Sequence, residues 1–580
     1  MSSCPHVLIS SAAPPINRFL CSPLLQTTLT HPFHQPLEFQ RHGSPAMAGS
    51  KARATPVRDN MKCILICLAM SMANCQYGYD TATIGGFQAM VGFLQVFGYK
   101  DPKGPTGYNI ATTVQQLITS FLNVGTIIGV LLTATWGKYY GRKPAIWVAS
   151  LISFVAAGLQ IGSEHVAALY VGRILIGVSN GFFITFANVY TAEVSPAHLR
   201  GSIVSFFGIW VSIGSILGAI ANNFAKNIKN KHAYQIPLAS LYAIPFCLSV
   251  LVFFLPESPR WLLVQNRPEE ARKSLEILRG NSFRNHPELL EEEFQEMSHG
   301  IEEEKELTSG SSFMDMFRGP DLRRTILCFA VIVSHTSSGL WLVVGYATFF
   351  FQMAGVDQPF LATILKSVCG LVGVISCIFL GQKYLGRRSM MLIGHSSSAL
   401  FMLGIAVAFT VAPYTKPAGK AIMAFALLYH GFYNGFSGAL SWPIATELCS
   451  SRLRVITIGT GTGVNYVFAW LTSFTAPYFI NKENLNWGPK YAYIWAGSNL
   501  ITFIFFLFFL PEMKGRSLEE LDELFQNRVS VRDFPKYQCV SSERAKEVAL
   551  KVTHVEVSEQ TQPHQVKEVK PDEDEVRNKV

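Results

Sequence analysis

The chain has 580 residues, of which 49% are hydrophobic and 15% charged. Soluble proteins carry about 25% charged residues, so this composition excludes an ordinary soluble enzyme, a disordered chain and a disulfide scaffold. The net charge of +9 would point to nucleic acid in a soluble protein. Here the apolar residues fall in blocks of about 20, enough for a helix to cross a ~30 Å hydrocarbon core, and many basic residues lie between the blocks. The expected partner is therefore a lipid bilayer, with no role for nucleic acid. The 11 Cys form no CxxC pair and lie largely in apolar blocks, as small buried hydrophobes rather than a disulfide or metal set.

In chain order, residues 1–60 are rich in Pro and Ser and read as a disordered N-terminal tail, of which 1–46 has the look of an over-extended gene model. Six apolar spans follow within 61–255, with cores near 63–86, 111–135, 145–162, 166–188, 202–222 and 237–255. The segment 256–324 is polar, with amphipathic helices expected around Pro268–Arg279 and Pro287–His299, and reads as a linker bracing two membrane halves. Six more spans lie within 325–511, with cores near 325–350, 360–381, 389–411, 421–444, 455–479 and 493–510. Residues 512–580 read as a cytoplasmic tail, disordered from about 526. The fold class is thus an all-α membrane protein with about twelve transmembrane helices in two six-helix bundles. The loops at 51–62, 137–144, 193–200, 382–388 and 447–454 hold 13 Lys and Arg in 43 residues, against 9 in 70 on the other side. That bias puts the first set, and both termini, in the cytoplasm.

The halves repeat one another. Lys138-Tyr139-Tyr140-Gly141-Arg142-Lys143 returns as Lys383-Tyr384-Leu385-Gly386-Arg387-Arg388. Glu193 and Arg200 return as Glu447 and Arg454, and Pro256-Glu257 with Arg260 returns as Pro511-Glu512 with Arg516. A parallel duplication of six spans is a transporter signature, with the substrate site between the halves near mid-membrane. The repeated elements form a candidate gate (Arg142, Glu193, Arg200, Glu257, Arg260, Arg387, Glu447, Arg454, Glu512, Arg516) whose acids and bases are expected to pair across the halves and latch that side shut.

Together with Tyr79-Asp80-Thr81, Gly172-Arg173 and Pro256-Glu257-Ser258-Pro259-Arg260, this ordered set resembles the sugar porter family of the major facilitator superfamily over residues 62–525. Ser450-Ser451-Arg452-Leu453-Arg454 and Gly345-Tyr346-Ala347-Thr348-Phe349 are similar to fungal members, the α-glucoside (maltose-type) permeases among them. The resemblance implies two bundles that rock about a central cavity, and assigns substrate contacts to Ser215, His335, Thr336, Trp341, Tyr346, Gly438, Trp442, Asn465 and Tyr466. The sequence departs from the family at the gate, where Lys138 and Lys383 replace an Asp. It also departs at the hexose-binding amides, whose positions are taken by Gly208, Ser215, His335, Thr336 and Trp341.

Asp80 and Arg173 are charges inside spans and should pair. In proton-coupled family members such a pair is a switch, and a permanent structural bridge is the alternative. His335 reads as a polar contact or a second titrating site. Lys366 is expected to snorkel to the interface; facing the cavity instead, it would suit an acidic substrate. Loops offer no nucleotide-binding, hydrolase or metalloprotease motif and no paired catalytic carboxylates, so no enzyme, catalytic residue, metal or cofactor is expected. The expectation is a secondary transporter of a sugar or polyol in the plasma membrane, driven by a proton gradient. The alternatives are a facilitator or exporter of another small polar molecule (a quinate-like acid, a secondary metabolite) and a non-transporting sugar sensor.

Overall fold

The computed structural model describes residues 58–539 apart from 59, 103–106, 197–198, 281–286, 309 and 517. The segment 1–46 and the chain beyond 539 lie outside the described residues. Among the described residues, nine helices are long and apolar enough to cross a membrane. In the first half they are Thr112–Tyr139, Arg142–Gly162, Val166–Val194, Phe206–Ala225 and His232–Phe254. In the second they are Gly319–Gly345, Pro359–Phe379, Arg387–Val411 and Gly488–Phe509.

Three further helical segments stand where the first, tenth and eleventh spans are expected, and each departs from a plain apolar rod. The first is two helices, Met61–Ser71 and Ala73–Phe87, meeting at Met72. The tenth runs Lys416–Phe432, passes through a π-turn at Tyr433–Gly438 and resumes at Ser441–Leu448. The eleventh, Arg454–Ile480, is unbroken but carries Thr457, Asn465, Thr472 and Ser473. Polar groups and broken backbone are tolerated at membrane depth where they face protein or a cavity. These spans, with the seventh, are therefore the ones to search for a site.

Spans pack closely through small residues, as expected where lipid removes the hydrophobic drive between helices. A Cβ on Gly78 would stand 2.0 Å from the Val211 carbonyl oxygen, and one on Gly177 would stand 2.3 Å from that of Leu122. Spans one and five, and two and four, are held in this way. The seventh span breaks at Gly339, whose φ of +88° is left-handed. It continues as the short helices Leu340–Gly345 and Ala347–Met353. A hairpin between the first two spans pairs Tyr99 with Asn109 and Lys100 with Tyr108.

The linker forms helices Pro259–Val264, Pro268–Arg279 and Pro287–Thr308. Arg279 secures it, donating to Glu293 Oε1 at 2.5 Å and to the Val194 carbonyl at 3.0 Å. The expectation of disorder beyond residue 526 is corrected up to residue 539. Leu518–Gln526 is helical, and Leu521, Leu524, Phe525, Phe534 and Cys539 are buried. Their apolar side chains pack against the start of the seventh span, where the Arg324 guanidinium lies 4.9 Å from the Phe525 ring.

Candidate functional site

Asp80 sits in the second helix of span one, and Arg173 in the early part of span four. Arg173 Nη1 donates to Asp80 Oδ1 at 2.7 Å and Nη2 to Oδ2 at 3.2 Å, while Nε donates to the Ile118 carbonyl at 3.1 Å. The side chains are 0% and 1% exposed. The planar guanidinium matches the carboxylate fork-to-fork, the geometry in which a buried charge is best compensated. Removing one partner of such a pair leaves a buried charge and costs about 3–5 kcal/mol.

Next to Asp80, Thr81 opens onto a small cavity about the size of one water molecule. Thr81 and Ile84 of span one line it, with Thr119 and Leu122 of span two, Trp341, Gly345 and Tyr346 of span seven, and Ser473 of span eleven. Both halves therefore contribute. Tyr346 Oη donates to the Ser473 carbonyl at 2.7 Å and meets the Thr119 hydroxyl, joining the two halves across the cavity. Trp341 Nε1 is buried without a partner among the described residues.

Of the substrate contacts expected from the sequence, Trp341 and Tyr346 line this cavity. Thr336 Oγ1 donates to Asn465 Oδ1 at 2.7 Å, tying spans seven and eleven. The His335 ring stands edge-on to Tyr433 at 5.9 Å, and a Cβ on Gly438 would lie 2.7 Å from the Tyr433 ring. The other contacts lie apart from the cavity. The Ser215 hydroxyl is occupied by the Gly78 carbonyl at 3.2 Å. Trp442 packs with Leu327 and Leu448 toward the basic end of the second half. Tyr466 is half-buried one residue beyond Asn465. Thr81, Thr119 and Ser473 also line the cavity and escape the sequence reading: a hydroxyl in an apolar run carries no sequence sign of whether it faces a cavity or its own helix.

Lys366 does not snorkel. It is 2% exposed, and Nζ donates to the Val343 carbonyl of span seven at 3.3 Å. Its side chain turns toward span seven instead of running along its own helix to the interface.

The two faces differ. On the face opposite the basic loops, side chains bridge the halves. Asn123 Nδ2 donates to Ser473 Oγ at 3.0 Å and to the Ala469 carbonyl at 3.3 Å. Asn481 Nδ2 donates to Gln115 Oε1 at 2.9 Å, and Asn484 Nδ2 to Thr112 Oγ1 at 2.8 Å. The Tyr99 hydroxyl donates to the Glu483 carboxylate.

On the basic face the expected latch across the halves is corrected, because the pairs close within each half. Arg142 holds Glu193 bidentately at 2.6 and 3.0 Å, and Arg387 holds Glu447 at 3.2 and 3.3 Å. Glu257 accepts the backbone N–H groups of Arg142 and Lys143, both at 3.1 Å, and Glu512 accepts that of Arg387 at 2.8 Å. Each acid thus satisfies orphan donors at the start of a span and complements its dipole. Burial pushes the Glu257 carboxyl above its ordinary value, opposed by N–H groups of Ser258, Lys143 and Arg142. Arg260 pairs with Glu304 of the linker. Arg516 donates to the Phe534 and Tyr537 carbonyls at 3.0 and 2.7 Å. Arg200 is exposed, and Arg454 reaches Ser451 Oγ at 3.4 Å, so neither pairs with the glutamate seven residues before it.

Comparison with known proteins matches residues 66–525 to the family described as sugar (and other) transporter. The chain is 28% identical over 491 residues to the major facilitator-type transporter ecdD of Aspergillus rugulosus, covering 82% of this chain and 89% of that one. It is 29% identical over 480 residues to the general alpha-glucoside permease of Saccharomyces cerevisiae, covering 82% and 77%. Among solved structures, the xylose transporter XylE from E. coli, in a partially occluded inward open conformation, aligns with a TM-score of 0.65 at 21% identity, covering 79% of this chain and all of that one. The fold is that of the major facilitator superfamily.

Proposed function

The chain belongs to the sugar (and other) transporter family, and we propose that it carries a sugar or related polyol across a membrane by alternating access, coupled to protons at Asp80. The reading rests above all on one observation: a buried carboxylate, paired bidentately with Arg173, stands next in the chain to Thr81, which lines a cavity built from both halves. Protonating Asp80 removes the charge that holds Arg173. The guanidinium keeps its bond to Ile118, and the first span is freed to move against the fourth.

In this reading the basic face is cytoplasmic, with both termini inside and the protein in the plasma membrane. The bridges on the opposite face then close the outside, while gate pairs confined to each half leave the inside free to open. The gate pairs hold the ends of each bundle together as it rocks. The completeness of the Asp80–Arg173 pair also favours a second reading, a facilitator in which the pair is a permanent bridge. The deciding experiment is uptake of labelled sugars into a yeast strain lacking hexose and maltose carriers, at two external pH values, with Asp80→Asn alongside. Uptake that rises at acid pH and loses this rise in Asp80→Asn supports coupling. Uptake indifferent to both supports facilitation, and absence of sugar uptake overturns the substrate.

A further inference from the structure

Among the described residues, Lys366 has no anion paired with it. Between Arg324 and Glu447 the sequence holds a single acid, Asp357, which lies in the loop before Pro359, 57% exposed and 3.7 Å from Lys416. From Val455 to Leu510 it again holds one, Glu483, bound by Tyr99 on the face opposite the basic loops. Asp80 of the first half is taken by Arg173. Among the described residues, no carboxylate lies within ion-pair distance of Lys366. An ammonium has three donors, and the hydrogen bond found for this one is the Val343 carbonyl at 3.3 Å. A buried lysine in a membrane span is costly and ordinarily has a partner.

The surroundings hold further polar groups. One turn along the same helix, Gly370 packs on the His430 ring and the Asn434 amide, with a Cβ there lying 2.6 and 3.0 Å from their atoms. Nδ1 of His430 and Nδ1 of His335 are buried without hydrogen-bond partners among the described residues. Tyr433, three residues from His430, carries the His335 ring against it. The ammonium also rests on the short helix Leu340–Gly345, whose Trp341 and Gly345 wall the cavity. This helix is broken at Gly339 and again at Tyr346.

From this we infer that Lys366 is the anion-recognising pole of the substrate site, and that the preferred substrate is a hydroxylated carboxylate, a sugar acid or similar polyol acid, carried in preference to a neutral sugar. The inference rests on the transport reading above and narrows its substrate class. In the present state Lys366 is held by the Val343 carbonyl; a substrate carboxylate replaces that weak acceptor with a charge-assisted pair.

The test uses the full chain in proteoliposomes, with galacturonate and galactose as probes, which share a ring and differ in the carboxylate. Galacturonate is expected to be taken up roughly 10- to 100-fold better than galactose, the worth of one charge-assisted hydrogen bond. Lys366→Gln should abolish the preference and Lys366→Arg should retain it. Thermal unfolding of each variant with and without probe accompanies the flux. Galactose carried as well as galacturonate, both indifferent to Lys366→Gln, overturns the inference and leaves the transport reading standing. Galacturonate that stabilises the wild type but not Lys366→Gln, without flux of either probe, keeps the anion site and overturns transport. Neither flux nor stabilisation overturns both.

Discussion

At the scale of single residues, charge is what makes this chain readable. Asp80 and Arg173 stand out in the sequence because an ion inside an apolar run needs a partner, and the structure pairs them at 2.7 Å. Their isolation predicts an asymmetric response. Arg173→Met should destabilise the protein by about 3–5 kcal/mol by stranding the carboxylate. Asp80→Asn combined with Arg173→Met should recover much of that loss, as thermal unfolding would register. Lys366 was legible as an oddity but not as a buried one. Snorkelling and burial give the same sequence, and the choice is made by which side of the eighth span meets the seventh. Glu257 carries a different prediction. Its folded-state pKa is raised by burial, so the stability it contributes is fully present below the ordinary glutamate value and is lost as pH rises through the raised one. Unfolding temperatures measured across that interval should fall with rising pH in the wild type. They should fall less steeply in Glu257→Gln, whatever the offset between the two proteins.

At the scale of elements, three of the spans that strayed from the apolar pattern, the first, seventh and eleventh, line the cavity, and the tenth does not. The first has an irregular turn at Met72, the seventh breaks at Gly339 and the tenth passes through a π-turn at Tyr433–Gly438. Hydropathy located these spans, but a single apolar block does not show whether its backbone runs through or bends. Gly339 is the sharpest case. Its φ of +88° and the 2.7 Å between a Cβ there and the Trp495 ring leave no room for a side chain. Gly339→Ala should cost about 1–3 kcal/mol, typical of a strained left-handed residue, measured as a lowered unfolding temperature. The ordered stretch to residue 539 was hidden for the opposite reason. A high charge count masks Leu518, Leu521, Leu524 and Phe525, which recur at helical spacing and bury one face. The helix Pro268–Arg279 was legible because Pro begins it, two acids follow, and Gly280 ends it.

At the scale of the whole molecule, the internal repeat foretold two matching sets of charged residues on the basic face but not their wiring. Sequence offsets show that Arg142 corresponds to Arg387 and Glu193 to Glu447, yet they are silent on whether a pair forms within a half or between halves, which depends on the conformation adopted. In this conformation the halves are bridged at Asn123–Ser473 and Asn481–Gln115, on the face opposite these charged sets. Alternating access requires those bridges to part. Asn123→Cys with Ser473→Cys, oxidised to a cross-link, should therefore arrest transport, with reductant restoring it; unchanged flux with the cross-link formed would mean that this face does not open. Above this stands the claim that Asp80 couples transport to protons. It is tested most directly by substrate accumulation in proteoliposomes holding the full chain, with and without an imposed pH gradient. The account predicts accumulation above equilibrium when the lumen is alkaline, lost in Asp80→Asn while exchange at equilibrium persists; the same final level with and without the gradient would contradict it.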